Sequence, residues 1–217
     1  MSVIGAILDL LYPPRCAFCH RLMDRMGDGV CPDCRKRLPY TGPIGCAQKP
    51  GNIERYVSPL YYERTVRDSL HRFKFSHMTG YAGIYAGFMV KAIDENGFSC
   101  DSITWAPVSR KRLLHRGYDQ SKLIAEKLAA HYGLPCEKLI KKIRDTKPQS
   151  LMPSAAARME NVKGAYAVAH PESVRGKCIL LIDDIITSGS TLSECARLLK
   201  ETGAKEVYAA TVARTRN

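Results

Sequence analysis

The chain has 217 residues with 45% hydrophobic and 25% charged side chains, which excludes an intrinsically disordered protein and favours one substantial core with a small additional module. Lysine and arginine outnumber aspartate and glutamate by 33 to 21, a formal net charge of +12. A surplus of this size favours polyanionic partners such as nucleic acids or phosphorylated small molecules, although a generally basic surface would have the same composition.

The N-terminal segment, SVIGAILDLLYPP, is apolar but carries Asp9 and lacks both a basic start and a small-residue cleavage pattern. It therefore predicts a short amphipathic helix, ended by Pro13 and Pro14, and not a signal peptide. The rest of the chain has no run of about 18 apolar residues, so we expect no membrane span. These features predict a cytoplasmic protein, in which the nine cysteines do not form a disulfide framework.

Cysteine is concentrated near the start of the chain. Two Cys-x2-Cys pairs separated by eleven residues predict a tetrahedral site for a structural Zn²⁺ ion, with the ligands Cys16, Cys19, Cys31 and Cys34. Such a module is too small to bury a core of its own, so the metal would contribute most of its folding free energy, about 10 kcal/mol. We therefore expect metal removal to unfold this module and to leave the rest of the fold intact. A redox pair or free thiols are the alternative.

A Gly/Pro-rich passage at residues 41–52 predicts a linker. It divides the chain into an N-terminal helix and zinc finger at residues 1–50 and a second domain at residues 51–217. In the second domain strand and helix patterns alternate, which predicts an α/β fold with a parallel sheet covered on both faces. The predicted strands are residues 55–62, 102–108, 165–169, 178–182 and 206–213, and the predicted helices are a segment around Val66, Leu70 and Phe73, residues 119–132 and residues 191–202.

The stretch ILLIDDIITSGST, residues 179–191, joins a fully buried strand to a helix. Ligands of open α/β sheets bind beyond the carboxyl ends of the strands, where Asp183 and Asp184 fall. The two carboxylates suit sugar hydroxyls, and the hydroxyls and backbone N–H groups after them can surround a phosphate. The pattern thus predicts a pocket for a ribose 5-phosphate, and a polar turn without a ligand is the alternative. The phosphate-binding candidates are Thr187, Ser188, Gly189, Ser190 and Thr191.

A second anion site is predicted after the strand at residues 102–108. One hydroxyl and three cations follow there, on Ser109, Arg110, Lys111 and Arg112. They suit a pyrophosphate group, and a solvated basic turn is the alternative. Residues 144–161 are polar, contain two prolines and show no clean period, which predicts a loop that closes over a ligand and excludes water.

Cations and aromatic rings lie close together between residues 64 and 75, and a further basic cluster spans residues 110–116. Single strands of nucleic acid favour this combination of charge and stacking surface. A helix with a core face and a solvated basic face is the alternative, and no motif that reads a base sequence is recognisable. The first group consists of Arg64, Arg67, His71, Arg72, Phe73, Lys74 and Phe75.

Residues 179–191 resemble the motif by which type I phosphoribosyltransferases bind 5-phosphoribosyl 1-diphosphate (PRPP), and they match it at every restricted position. In that family the two acids contact the ribose hydroxyls, and the loop after them holds the 5-phosphate. The resemblance implies these roles for Asp183 and Asp184 and for residues 187–191. It also implies Mg²⁺, bound together with PRPP.

More specifically, the chain resembles the ComF family over most of its length. The stretches that carry this resemblance, besides the PRPP motif, are LLYPPRCAFC, HRFKF, APVSRKRLLHRGYDQ and RDTKPQSLMPSAAARMENVKGAY. The family pairs an N-terminal zinc finger with a phosphoribosyltransferase-type domain and is linked to single-stranded DNA during natural transformation. The resemblance therefore implies single-stranded DNA and proteins of the DNA-uptake machinery as partners.

The same resemblance concerns two further regions. Residues 144–161 correspond to the flexible loop of these folds, where Arg144, Gln149, Arg158 and Asn161 match the ComF pattern. Many relatives carry further cysteine pairs after the finger, where only Cys46 remains in this chain. A second metal site is therefore in doubt.

Three hypotheses follow. The first is a PRPP-binding protein of the ComF type that acts with single-stranded DNA. The second is an active phosphoribosyltransferase that moves the ribose 5-phosphate of PRPP onto a nitrogen nucleophile, whose identity the sequence does not indicate. The third is a regulator that senses PRPP without chemistry.

Overall fold

The protein is represented by a computed structural model that describes residues 13–23, 27–42, 51–147 and 149–216. The predicted N-terminal helix, most of the predicted linker and Cys46 lie outside the described residues. The domain boundary near residue 50 therefore stays a prediction. None of the helices in these ranges has the length and apolar character that crossing a bilayer requires.

The described strands are β1 (Arg55–Val57), β2 (Leu60–Tyr61), β3 (Ser102–Trp105), β4 (Ile140–Lys142), β5 (Tyr166–Val168), β6 (Cys178–Ile186) and β7 (Glu206–Arg214). The described α-helices are α1 (Pro32–Arg37), α2 (Arg64–Phe75), α3 (Tyr81–Glu95), α4 (Arg110–Arg116), α5 (Gln120–Tyr132), α6 (Ala155–Val162) and α7 (Ser190–Glu201). Single 3₁₀ turns lie at Gln149–Leu151 and Pro171–Ser173.

Five strands form one parallel sheet in the order β1-β7-β6-β3, and β2 pairs with β7 beyond the end of β1. In the central strand β6, Leu180 pairs with Tyr208 on one side and with Ile103 on the other. Strands buried on both faces need nearly continuous apolar sequence, which explains the run before the two aspartates. Strands β4 and β5 form a separate two-stranded antiparallel sheet. The predicted α/β fold with a parallel sheet is confirmed.

Each face of the sheet has its own hydrophobic core. Leu180 and Ile182 belong to the core that includes α3 and α5, whereas Ile179 and Leu181 belong to the core that includes α7. Alternate residues of a strand point to opposite faces, so β6 supplies both cores. Full burial of each such side chain contributes about 1.5–3 kcal/mol.

Two predicted strands differ from those observed. Residues 55–62 form two short strands and not one, because Ser58 and Pro59 interrupt them and proline cannot donate a ladder hydrogen bond. The strand predicted at residues 178–182 continues to Ile186 and contains both aspartates, since pairing with β7 extends to Arg214. The acids therefore lie within the end of the strand and not after it.

Four of the described helices were not predicted, α1, α3, α4 and α6. Helix α3 contains Gly83 and Gly87, which lower its intrinsic helix propensity, and its buried face packs into the core beside α5. Residues 144–161, predicted as a loop, include most of helix α6. Its first turn is capped by Ser154, whose Oγ accepts a hydrogen bond from the backbone N of Ala157 at 3.1 Å.

The cysteine-rich segment packs directly against the main domain. Phe18 is only 1% exposed, and its ring makes edge contacts with the rings of Tyr85 and Phe88 in α3 at centroid distances of 6.3 and 5.7 Å. From α2, Ser69 Oγ donates to the carbonyl of Ala17 at 2.6 Å, and Arg72 donates to the carbonyl of Phe18, also at 2.6 Å. The cysteine-rich segment therefore shares the core of the sheet domain.

Candidate ligand-binding site and metal centre

Four cysteines converge near the start of α1. The Sγ atoms of Cys16, Cys19, Cys31 and Cys34 all lie within 4.8 Å of one another, and they are the one such cluster among the described residues. Cys19 Sγ and Cys31 Sγ are 3.7 Å apart, close to the edge of about 3.8 Å that a tetrahedron with Zn–S bonds of 2.3 Å requires. The set fits a structural Zn²⁺ ion, because four thiolates leave no open coordination position.

Backbone N–H groups also point at these sulfurs. The N–H of Cys31 donates to Cys16 Sγ, and that of Cys34 donates to Cys31 Sγ, both at 3.4 Å. Such donors favour the thiolate form that a metal needs. His20, adjacent to Cys19, is not part of the four-sulfur cluster.

Asp183 lies at the end of β6 and is held by two hydrogen bonds. Its Oδ1 accepts from Ser121 Oγ of α5 at 2.9 Å and from the backbone N of Asp184 at 2.8 Å. Burial, with a smaller contribution from the negative charge of Asp184, raises the pKa of Asp183 to about 7. Its carboxyl group therefore changes charge near neutral pH.

Asp184 has a different environment from its neighbour. It is 9% exposed, and its Oδ2 lies 2.7 Å from Nζ of Lys74 in α2. Asp183 is thus hydrogen-bonded to α5, whereas Asp184 is paired with α2. The motif therefore presents one hydrogen-bonded carboxyl group and one carboxylate that is ion-paired with a lysine.

The predicted phosphate loop leads from β6 into α7. Gly189 is the N-cap of α7 and has a φ of 73°. This left-handed conformation is unfavourable for residues that carry a side chain, so it favours glycine. Ser188 Oγ and Ser190 Oγ are 2.7 Å apart, and Thr215 Oγ1 donates to the carbonyl of Thr187. The first N–H groups of a helix have no intrahelical acceptor, so the start of α7 offers donors to an anion, and its phosphate-binding role stays a prediction.

The predicted pyrophosphate site lies after the neighbouring strand. The backbone N of Ala106, just beyond β3, donates to the carbonyl of Ile182, so the ends of β3 and β6 are adjacent. Ser109 caps α4 and accepts from the N of Arg112 at 3.4 Å. The three cations Arg110, Lys111 and Arg112 therefore form the first turn of a helix and not a loop. Ser109 Oγ is already used as a capping acceptor.

Asp119 supports this region, although the sequence interpretation did not include it among the site residues. Its Oδ2 accepts from the N of Val108 at 3.0 Å, and its Oδ1 accepts from the N of Lys122 at 3.3 Å. One carboxyl group thus caps α5 and holds the segment before α4 in place. Burial raises its pKa. An aspartate directly before a predicted helix is a recognisable N-cap signal, so its capping role could have been found.

A half-buried lysine on β4 was also missed. Lys142 Nζ donates to Thr146 Oγ1 at 2.9 Å and to the hydroxyl of Tyr166 at 3.1 Å. Burial and the charge of Arg112 lower the pKa of Lys142 to about 8, and Asp183 is near enough for its charge to oppose that shift. No sequence signal marks this cluster, because Lys142 and Tyr166 are far apart in the chain and meet only where β4 pairs with β5.

The residues of the segment 144–161 that match the ComF pattern mainly contact one another. Arg144 donates to the carbonyls of Asn161 at 3.3 Å and Lys163 at 2.9 Å. Arg158 Nε donates to the carbonyl of Gln149 at 3.2 Å, and Asn161 Nδ2 donates to Gln149 Oε1, also at 3.2 Å. Arg112 Nη2 donates to the carbonyl of Thr146 at 3.2 Å and connects this segment to α4. Their ligand-binding roles stay predictions.

The basic and aromatic residues of α2 divide into two groups. Arg72 binds the backbone of the cysteine knuckle, Phe73 is fully buried, and Lys74 is paired with Asp184. These three side chains therefore have structural partners and are not free for nucleic acid. The exposed members of the group are Arg64, Arg67, His71 and Phe75.

Comparisons with known proteins agree with this architecture. Residues 119–217 match the phosphoribosyl transferase domain family, and residues 7–51 match the double zinc ribbon domain. The chain is 30% identical over 208 residues to "DNA utilization protein YhgH" of Salmonella typhimurium, covering 92% of this chain and 90% of that protein. It is 25% identical over 215 residues to "Competence protein F" of Haemophilus influenzae, covering 89% of this chain and 93% of the relative.

A third relative is "Competence protein ComFC" of Streptococcus pneumoniae, 26% identical over 196 residues that cover 88% of this chain and 84% of that protein. The similarity to these relatives spans both the cysteine module and the sheet domain. The chain therefore belongs to the ComF family, as a protein of phosphoribosyltransferase fold with an N-terminal zinc module.

Proposed function

We propose that this protein binds PRPP at the carboxyl ends of β6 and β3 and handles single-stranded DNA in the cytoplasm during DNA uptake. The observation that carries the PRPP part is the placement of Asp183 and Asp184 directly before the Gly189-capped start of α7. Carboxylates accept hydrogen bonds from ribose hydroxyls, and helix N-terminal N–H groups donate to a phosphate. One ribose 5-phosphate needs both kinds of group a few ångströms apart.

The pyrophosphate of PRPP would bind on the α4 side of this pocket. Arg110, Lys111 and Arg112 supply positive charge there, and the adjacent ends of β3 and β6 keep the two anion sites close. Mg²⁺, when bound, neutralises pyrophosphate charge. Among the described residues, Asp183 and Asp184 do not belong to a cluster of three or more metal-type ligands, so in this proposal Mg²⁺ arrives with PRPP, in keeping with its preference for substrate phosphates and a few carboxylates.

The DNA part of the proposal is supported by charge and by the relatives. The net charge of +12 favours a polyanion, and two of the relatives are named for DNA utilization and competence. A role in DNA uptake would bring the protein into contact with other proteins of the uptake machinery. The proposed cytoplasmic location is in keeping with the cysteine set, because thiols stay reduced and available for zinc in a reducing compartment.

Isothermal titration of the zinc-loaded protein with PRPP and Mg²⁺ tests the first part. We expect saturable binding at one site per chain, and weaker binding of ribose 5-phosphate, which lacks the pyrophosphate. Absence of binding by PRPP with Mg²⁺ would overturn the proposal. A separate titration with a labelled single-stranded oligonucleotide at low salt tests the DNA part, so that the two parts can fail independently.

A second candidate function is phosphoribosyl transfer itself. The observation that favours it is the pair of groups with pKa values near neutrality beside the pocket, Asp183 at about 7 and Lys142 at about 8. Such perturbed groups are concentrated at active sites. In the reaction a nitrogen nucleophile bonds to C1 of the ribose as the bond from C1 to the pyrophosphate oxygen breaks, and pyrophosphate leaves with the electron pair. Pyrophosphate release in a screen of bases and amines with PRPP tests it.

A further inference from the structure

Helix α2 presents one continuous stripe of charged and aromatic side chains to solvent. Arg64, Arg67, His71 and Phe75 are all exposed, and their spacing of three and four residues places them on one face. The opposite face, with Val66 and Leu70 among its members, is fully buried, so the orientation of the helix is set by the core. At about 1.5 Å per residue, the 12 residues of α2 make a track of about 18 Å.

Three planar groups lie close together at the C-terminal end of this stripe. The rings of His71 and Phe75 have centroids 4.7 Å apart, and the Arg116 guanidinium lies 4.8 Å from the Phe75 centroid. Phe75 is 49% exposed although its helix has a fully buried face of its own. An exposed ring beside a cation and an imidazole, with the two ring planes tilted by 44°, offers a surface on which a nucleobase can stack.

The N-terminal end of the stripe opens into a cleft of about 340 Å³ between α2 and the cysteine module. Two of its acids are already paired, Glu63 with Arg216 at 2.8 Å and Asp33 with Arg21 at 3.7 Å. Within the described part of the chain, no ion pair involves the other arginines that line the cleft, Arg37 and Arg64. The cleft therefore has positive charge available for a phosphate.

Between these two ends, Arg67 can also change partner. It is paired with its neighbour Asp68 at 3.5 Å, and both side chains are more than half exposed. An exposed pair of this kind contributes little to stability, so a phosphodiester can replace Asp68 at small cost. The stripe carries positive charge along its length and an aromatic surface at one end. This combination suits a nucleic-acid strand with unpaired bases, because paired bases are not free to stack on a side chain.

We infer that single-stranded nucleic acid binds along the exposed face of α2, with its phosphates on Arg64 and Arg67 and a base stacked on Phe75 beside His71 and Arg116. This assignment of a surface rests on the proposed function in single-stranded DNA handling. This surface lies next to the proposed PRPP pocket. Lys74 precedes Phe75 in α2 and forms an ion pair with Asp184 of the pocket. The strand thus runs from the cysteine module to the pocket.

Binding of a fluorescent thymidine oligonucleotide of about 16 nucleotides to the zinc-loaded full chain tests this surface. Phe75→Leu keeps an apolar side chain and removes the ring, and we expect affinity about tenfold lower. On an abasic oligonucleotide of the same length, the variant should match the wild type, because no base is present to stack. Equal affinity of wild type and Phe75→Leu for the thymidine strand would overturn the assignment.

Arg67→Ala should weaken binding to both oligonucleotides and reduce the dependence of log affinity on log salt by about 0.7. Arg175→Ala is the matched control. It removes the same charge from an exposed position just before the start of β6, whereas the pocket lies at the end of that strand. Equal losses in the two variants would overturn the assignment in favour of general charge. If the wild type itself bound no strand at low salt, the proposed DNA function would fail, a result distinct from an unaffected Phe75→Leu.

Discussion

Lys74 of α2 and Asp184 of β6 form an ion pair, with Nζ and Oδ2 2.7 Å apart. The pair joins the helix with the exposed basic stripe to the strand that carries the acidic motif. Only 20% of the Lys74 side chain and 12% of the Asp184 side chain are exposed, so solvent screens this pair far less than a surface pair. Two regions that sequence analysis assigned to different ligands are therefore in direct contact.

Lys74→Met should destabilise the protein by about 2 kcal/mol, because it leaves a buried carboxylate without its partner, although the site is less enclosed than a fully buried pair. Urea denaturation measures the change. Lys91→Met is the matched control, since Lys91 Nζ lies 3.9 Å from Glu95 in an exposed pair and its loss should cost less than about 0.5 kcal/mol. Similar losses in the two variants would mean that the Lys74 pair contributes no more than a surface pair.

Changing both acids, Asp183→Ala with Asp184→Ala, should weaken PRPP binding at least tenfold, about 1.4 kcal/mol, because hydrogen bonds from the ribose hydroxyls to charged acceptors are lost. Titration calorimetry with Mg²⁺ present measures the change, and circular dichroism checks that the sheet is retained. Glu172→Ala, at an exposed acid in a 3₁₀ turn, is the control and should bind as the wild type does. Unchanged affinity in the double variant would exclude the acids from the PRPP site.

Asp183 should make stability depend on pH in an unusual direction. Its pKa rises from the ordinary 3.8 to about 7 on folding, so between these values the folded state holds a proton that the unfolded state has released. Stability contributed by this group is therefore present below about pH 4 and is lost as the pH rises to about 7. Denaturation of the wild type and Asp183→Asn across this window measures it. Relative to the variant, the wild type should lose stability with rising pH, and parallel curves would contradict the prediction.

Zinc removal should lower the stability of the whole described fold and not only that of the cysteine module. The reason is that Phe18 and Ala17 are buried in the core that includes α3 and α5. Zinc content near one per chain is the first measurement, followed by thermal unfolding with and without a chelator. We expect one transition at lower temperature after chelation.

Cysteine variants separate the metal from general cysteine chemistry. Cys34→Ser should reproduce the effect of the chelator, whereas Cys178→Ser, at a partly exposed cysteine outside the cluster, should unfold near the wild-type temperature. An unchanged transition for the sheet domain after chelation would restore the interpretation of the module as an independent unit.

The order of the elements and the ligand-type residues were predictable because they depend on local patterns. Four aliphatic residues before Asp183 predicted a buried strand, and the Cys-x2-Cys pairs predicted a tetrahedral metal site that the four converging sulfurs fit. Helix α3 was missed because its glycines weaken the helical signal, and packing stabilises it. The extent of β6 was underestimated because pairing with β7, and not the apolar run, sets where the strand ends.

By itself, the sequence determined the family, the parallel α/β fold, the metal-binding cysteines and the position of the acidic motif, because each of these rests on residue types at fixed short spacing. Only the tertiary structure decided which basic residues are exposed. Arg72 and Lys74 satisfy partners in other elements, whereas Arg64, Arg67 and Phe75 face solvent. Both groups lie on one helix, so the helical pattern of the sequence does not distinguish them. The partners of Arg72 and Lys74 are far away in the chain and reach α2 only when the sheet and the cysteine module pack together.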